Sequence, residues 1–176
     1  MKGNVFSLFV LFALLQCSFA VVGANPFTVV IDPGHGGRDP GTINGRTKEK
    51  DINLSIALKV GALLKQNHPD IKVAYTRSTD VYVELNRRAE IANKLKADLF
   101  ISIHSNAVRS RTVFGTETFT LGLHRSQENL EVAKRENSVI LMEDNYQTRY
   151  EGFDPNSAES YIIFEMIQNT HLENSI

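Results

Sequence analysis

Apolar runs along the chain alternate with stretches of helical periodicity. Phe27 to Ile31 (FTVVI) is β-branched and aromatic without polar alternation, which predicts a strand buried on both faces. Asp32-Pro33-Gly34 ends it, and a polar, glycine-containing loop runs on to Lys48. From Lys50, the residues Ile52, Ile56, Ala57, Val60, Leu63 and Leu64 recur at helical spacing and predict a helix with that face inward, closed before Pro69. Lys72 to Thr76 predicts a short strand. Thr79 or Asp80 is expected to cap a second helix, whose stripe is Leu85, Ala89, Ala92 and Leu95. Leu99 to Ile103 (LFISI) predicts another buried strand, and Gly115 to Leu121 a strand nearer an edge.

That order of strands and helices implies an α/β domain with a largely parallel sheet. Ligands in such sheets gather past the C-terminal ends of strands. The later chain differs. Ser126 to Met142 is helical in composition, and Glu143 to Asn156 is rich in turn residues. Asn156 to Glu159 fits a capping box opening a helix with Ile162, Ile163, Met166 and Ile167 inward.

Composition changes this picture at the N-terminus. Lys2, the apolar run Val5 to Leu15 and small residues at Ser18-Phe19-Ala20 and Val22-Gly23-Ala24 predict a secretory signal peptide over residues 1–24. The run is short for a membrane span, so no membrane attachment is expected after cleavage. Cys17 is the only cysteine of the chain and lies in that segment. The mature chain would then hold a metal only through His, Asp or Glu. A formal net charge of -1 provides no basic field for nucleic acid.

Three residues at element ends are candidate ligands: His35 in a glycine turn, Glu49 before a helix, and His104 at the end of LFISI. Three ligands and an open position make the pattern of a catalytic zinc, and two imidazoles with a carboxylate suit zinc better than magnesium or calcium. Each residue alone has a plainer reading: a loop histidine, a solvated carboxylate favoured by the helix dipole, a histidine at the core's edge. Spacings of 14 and 55 residues do not decide between them. Arg87-Arg88 reads first as a solvated helix face and second as a contact for an acidic substrate group, and His68, His124 and His171 read as surface residues.

At these residues the chain resembles the zinc-dependent N-acetylmuramoyl-L-alanine amidases of the amidase 3 type. The resemblance rests on IDPGHGGRDPG (Ile31 to Gly41), KEKDINL (Lys48 to Leu54), Thr76-Arg77, the set Leu85, Arg88 and Ile91 to Asn93, and ADLFISIHSNA (Ala97 to Ala107). It implies a single domain over 27–176 with a twisted, mostly parallel sheet between helices. It implies that His35, Glu49 and His104 bind one Zn2+, and that the substrate is the amide joining muramic acid to L-alanine in peptidoglycan. Export to the periplasm or cell envelope follows from the leader.

The resemblance also implies a helical insertion over about 125–160, comparable to one that covers the zinc site in division-associated members until a protein activator displaces it. Glu131, Glu136 or Glu143 would then supply an inhibitory ligand. The family's late catalytic glutamate has no counterpart here; Glu165 resembles it only superficially, and the expectation is that it lies beyond Ile176. The alternatives are a non-catalytic peptidoglycan-binding remnant and a zinc peptidase of related architecture.

Overall fold

A computed structural model describes residues 25–106, 112–118, 132, 134–157 and 160. The leader 1–24, Glu131, Glu165, His124 and His171 lie outside the described residues, as does the helix expected after Ser160.

The central strand is β1, Thr28–Pro33, buried along its whole length. It pairs in parallel with β4 (Lys72–Tyr75) on one side and β5 (Leu99–Ile103) on the other. Parallel neighbours cannot be joined by a hairpin, so each connection crosses over through a helix. The first crossover carries a small antiparallel ribbon, β2 (Ile43–Asn44) with β3 (Thr47–Lys48), and then helix α1, Glu49–Asn67. The second carries α2, Leu85–Leu95. The result is the α/β architecture with a mostly parallel sheet that the sequence pattern implies.

Side chains alternate across β1. Val29 and Ile31 face α1 and form the core with Ala57, joined by Val60, Leu64, Val73, Tyr75 and Ile101. Asp32 is on the opposite face, where it accepts hydrogen bonds from Arg88 of α2 and from Ser102.

Several local expectations are corrected. Of the expected inward face of α1, Ala57, Val60 and Leu64 do pack against the core, but Ile52, Ile56 and Leu63 remain 37%, 42% and 57% exposed, and the most buried row is Glu49, Asn53, Ala57 and Gly61 at i, i+4 spacing. Small side chains at 57 and 61 admit the helix close to the sheet, and a Cβ at Gly61 would overlap the Tyr75 hydroxyl. Helix α2 begins at Leu85 with no side-chain cap; Asp80 instead accepts from the Gly37 amide and from Lys50 Nζ. Its inward face carries Arg88, 4% exposed, rather than Ala89, so Arg88 is no solvated residue. Leu99 and Phe100 of β5 are exposed, because β5 is an edge among the described strands. Residues 113–118 form no strand.

In the later chain, residues 134–137 are helical and continue into a 3-10 turn, Ser138–Met142, whose Val139 and Ile140 are buried. A four-residue helix, Tyr146–Arg149, follows. Near residue 157 the Ser157 hydroxyl accepts from the Ser160 amide.

Candidate metal centre

His35 and His104 leave the sheet side by side. Pro33 and Ile103, the last residues of β1 and β5, are paired in register, and the Gly34 amide donates to the Ile103 carbonyl at 3.0 Å. The imidazole centroids are 4.9 Å apart, nearly perpendicular at 77°. His35 sits at φ 61°, followed by Gly36 at 131° and Gly37 at 55°. This left-handed run turns the chain sharply off the strand and is open to glycine but costly for a histidine.

Glu49, at the start of α1, projects into the same space and is 3% exposed. Its Oε1 lies 3.4 Å from both His35 Nε2 and His104 Nδ1. The Ser105 amide donates to the same oxygen at 2.8 Å, and the Thr42 amide donates to Oε2 at 2.9 Å. Lys50, beside it in sequence, turns away to the Gly37 carbonyl and Asp80. Glu49 is therefore a buried, oriented carboxylate and no solvated helix-start residue.

A fourth group arrives from the later chain. Glu136 Oε2 lies 2.8 Å from His104 Nδ1 and 3.2 Å from His35 Nε2. One ligand atom from each of His35, Glu49, His104 and Glu136 lies within 4.8 Å of the others. Of the two described glutamates among those expected as inhibitory contacts, Glu136 is brought to the site. Glu143 is elsewhere, buried at the N-terminus of α2, where it accepts from the Leu85 amide and from Tyr82 and Tyr150. Unsatisfied helix-start amides hold that carboxylate there. Glu131 lies outside the described residues.

The chemistry of this set fits a divalent cation. His35 Nε2 and His104 Nδ1 are buried and make no hydrogen bond of proper geometry, although carboxylate oxygens surround them. Buried polar atoms are rarely left so, and two imidazole lone pairs aimed with two carboxylates at one point suit a shared metal.

With no metal present, the carboxylates exert the same pull on positive charge, drawing protons onto the imidazoles. Burial disfavours the His35 imidazolium, but Asp39, Glu136 and Glu49 outweigh it and push its pKa up to about 11. His104, also opposed by burial, is pushed to about 9 by Glu136 and Glu49. Burial opposes the Glu49 charge too, yet the two histidines hold it far below the carboxylate range; they bring Glu136 to about 2. Two carboxylates kept ionised in one buried spot call for cationic charge.

Two supporting residues lie inside the quoted motifs, but the motifs by themselves give them no role. Asp39 Oδ2 is 2.7 Å from His35 Nδ1, and its Oδ1 accepts from the Gly41 amide. With Nδ1–H given to Asp39, Nε2 is left free to face the cluster. Asn53, fully buried, accepts from the Ser105 hydroxyl at 2.8 Å and donates to Gly34 O and Glu49 Oε1, both at 3.4 Å. Four residues after Glu49 on one helix face is the signal that could have found Asn53. The cleft is also lined by Thr42 and by Arg135, which donates to Asn106 at 2.9 Å.

A family model described as N-acetylmuramoyl-L-alanine amidase, Amidase_3, matches residues 29–175. The N-acetylmuramoyl-L-alanine amidase AmiA of Escherichia coli (strain K12) is 34% identical over 152 residues, 84% of this chain and 50% of the relative. AmiC of Escherichia coli O6:H1 is 31% identical over 157 residues, 86% of this chain and 35% of the relative. The chain thus spans half or less of the length of these relatives. Among solved structures, the catalytic domain of CwlV, an N-acetylmuramoyl-L-alanine amidase from Bacillus (Paenibacillus) polymyxa var. colistinus, superposes with a TM-score of 0.50. The identity is 40%, and the match covers 62% of this chain and 60% of that one.

Proposed function

Since the chain belongs to the Amidase_3 family of N-acetylmuramoyl-L-alanine amidases, which are metal-dependent, we propose that it hydrolyses the muramoyl–L-alanine amide of peptidoglycan with one zinc ion held by His35, Glu49 and His104. The observation that carries this reading is the convergence, beyond the ends of β1 and β5, of the Glu49 carboxylate and two buried imidazole nitrogens that lack a well-formed hydrogen bond. Zinc in such a site acts as a Lewis acid that activates water and polarises an amide carbonyl. The chain's own residues do the positioning. Asp39 fixes the His35 ring, the Thr42 and Ser105 amides fix Glu49, and Asn53 ties the two ligand-bearing loops together. Among the described residues, the carboxylates of the cleft (Asp39, Glu49 and Glu136) each face an imidazole, and none is assigned as the general base.

No helix of the described residues is long and apolar enough to cross a membrane. Residues 1–24 have the pattern of an export leader, which supports a reaction in the periplasm or cell envelope. Purified protein is expected to hold about one zinc, and His35→Ala or His104→Ala to come through purification largely stripped of it, keeping through the remaining ligands only a weak affinity that chelator competition measures; full zinc content in both variants would refute the site. Digestion of peptidoglycan is expected to release stem peptides beginning with L-alanine. Cleavage only within peptides would favour a zinc peptidase. Sacculus binding and zinc retention without any hydrolysis would favour a wall-binding protein.

A second reading has its own observation, the Glu136 carboxylate at the two imidazoles. We infer that the insertion of about 125–160 closes the site with Glu136 in a ligand position, and that an activator protein would open it. Glu136→Ala is expected to raise basal hydrolysis by roughly 5- to 150-fold, the usual span of such coupling. Deleting residues 125–156 should act in the same direction. Unchanged or lower turnover in a folded Glu136→Ala protein would count against closure.

A further inference from the structure

The His35 turn is held from behind by two arginines. Arg77 and Arg88 are 3% and 4% exposed, and their guanidinium donors go almost wholly to backbone carbonyls. Arg77 donates from Nε to Pro33 O at 2.8 Å and from Nη2 to Gly34 O and Lys50 O, both at 2.9 Å. Arg88 donates from Nη1 to Pro33 O at 3.0 Å and from Nη2 to His35 O at 2.9 Å, while a further Nη1 contact at 2.8 Å reaches the buried Asp32. Three successive carbonyls, 33 to 35, thus point into two planar forks. These are the carbonyls that lead into the left-handed His35 position, which the chain would not choose unaided.

Arg77 does more than hold the turn. By bridging Gly34 O and Lys50 O it ties the residue before His35 to the residue after Glu49. No apolar side chain could make that link, and a lysine's single ammonium lacks the fixed fork.

We propose that Arg77 and Arg88 are positioning residues for the metal site, fixing the His35 turn and its separation from Glu49 so that both ligands are preorganised. The inference rests on the metal-site reading above and assigns the arginines no contact with substrate. It is tested on the whole chain with zinc itself, by competition against a chromophoric chelator, for wild type, Arg77→Lys, Arg88→Lys, His35→Ala and the double variant Arg88→Lys/His35→Ala. Unfolding of the metal-free proteins is followed in parallel.

Each lysine variant is expected to bind zinc about 10–100-fold more weakly, as loss of outer-shell support does elsewhere, while its metal-free far-UV circular dichroism spectrum stays that of wild type. Because Arg88 acts through His35, its substitution should cost less than about twofold further once His35 is alanine, a non-additivity that a purely architectural role would not produce. Wild-type affinity in both lysine variants, or full additivity in the cycle, overturns the proposal. So does zinc loss that merely follows unfolding of the metal-free chain. A wild-type chain that takes up no zinc overturns the metal-site reading, and the clamp with it.

Discussion

A methyl group added at Gly34 separates folding from metal binding. Its Cβ would overlap the His104 ring, and Gly34 itself has no positive φ that forbids alanine. The ring is the far part of a side chain and can swing, so the fold survives while a proposed ligand is displaced. Gly34→Ala is therefore expected to lower zinc affinity by about 10–100-fold, with unfolding of the metal-free protein little changed. Chelator competition and thermal melts check this; wild-type zinc affinity would mean that the His104 position is not critical. Gly41 is different. Its φ is 63°, and a Cβ there would stand 2.6 Å from His35 and 2.8 Å from Glu49, so substitution would strain the backbone and disturb both ligands.

At the scale of elements, what could be read from the sequence followed from how uniform each environment is. β1 is covered on both faces, so its residues are apolar without alternation and the strand is plain. Helix α1 was legible as a helix but only partly in its orientation: Ala57, Val60 and Leu64 face the core as expected, Ile52, Ile56 and Leu63 do not. Periodicity assigns the inward face by hydrophobicity, whereas the face that meets the sheet must bring Glu49 and Asn53 to the strand ends and keep residues 57 and 61 small. Arg88 misleads for the same reason: a buried guanidinium that satisfies backbone carbonyls looks, in sequence, like any surface arginine. The ligand trio was nameable through the motifs around it, but Asp39 and Asn53 act only through three-dimensional contacts. Asn53 gives this a measurable form. Asn53→Ala removes a fully buried side chain and leaves the partly buried Ser105 hydroxyl without its acceptor, and is expected to destabilise the metal-free chain by about 1–3 kcal/mol. Urea unfolding measures it, and a change below about 0.5 kcal/mol, the range of ordinary surface substitutions, would show that water replaces the bond.

For the whole molecule, the question is what keeps Glu136 over the imidazoles. The segment after it is fastened to α2 rather than to the site. Glu143 Oε1 accepts from the Leu85 amide at 2.9 Å and from the Tyr82 hydroxyl, and its Oε2 accepts from Tyr150 at 2.6 Å. Tyr150 in turn accepts from the Asn86 amide, and Arg149 pairs with Glu84 at 2.6 Å. Two helix-start amides that need acceptors find them in the later segment, so α2 and the site's cover stabilise each other. Removing a charged hydrogen-bond acceptor costs about 1.5–3 kcal/mol, roughly 10- to 150-fold in the population of a released segment. Glu143→Ala should then speed chelator extraction of zinc and raise protease cleavage within 134–157, with the α1 and β1 region still protected. Glu136→Ala should speed extraction without exposing the segment, because it removes the contact at the metal and leaves the fastening intact. If Glu143→Ala changes neither extraction nor cleavage, the cover is held by the buried Val139 and Ile140 instead, and the carboxylate at the α2 start is not what fastens it.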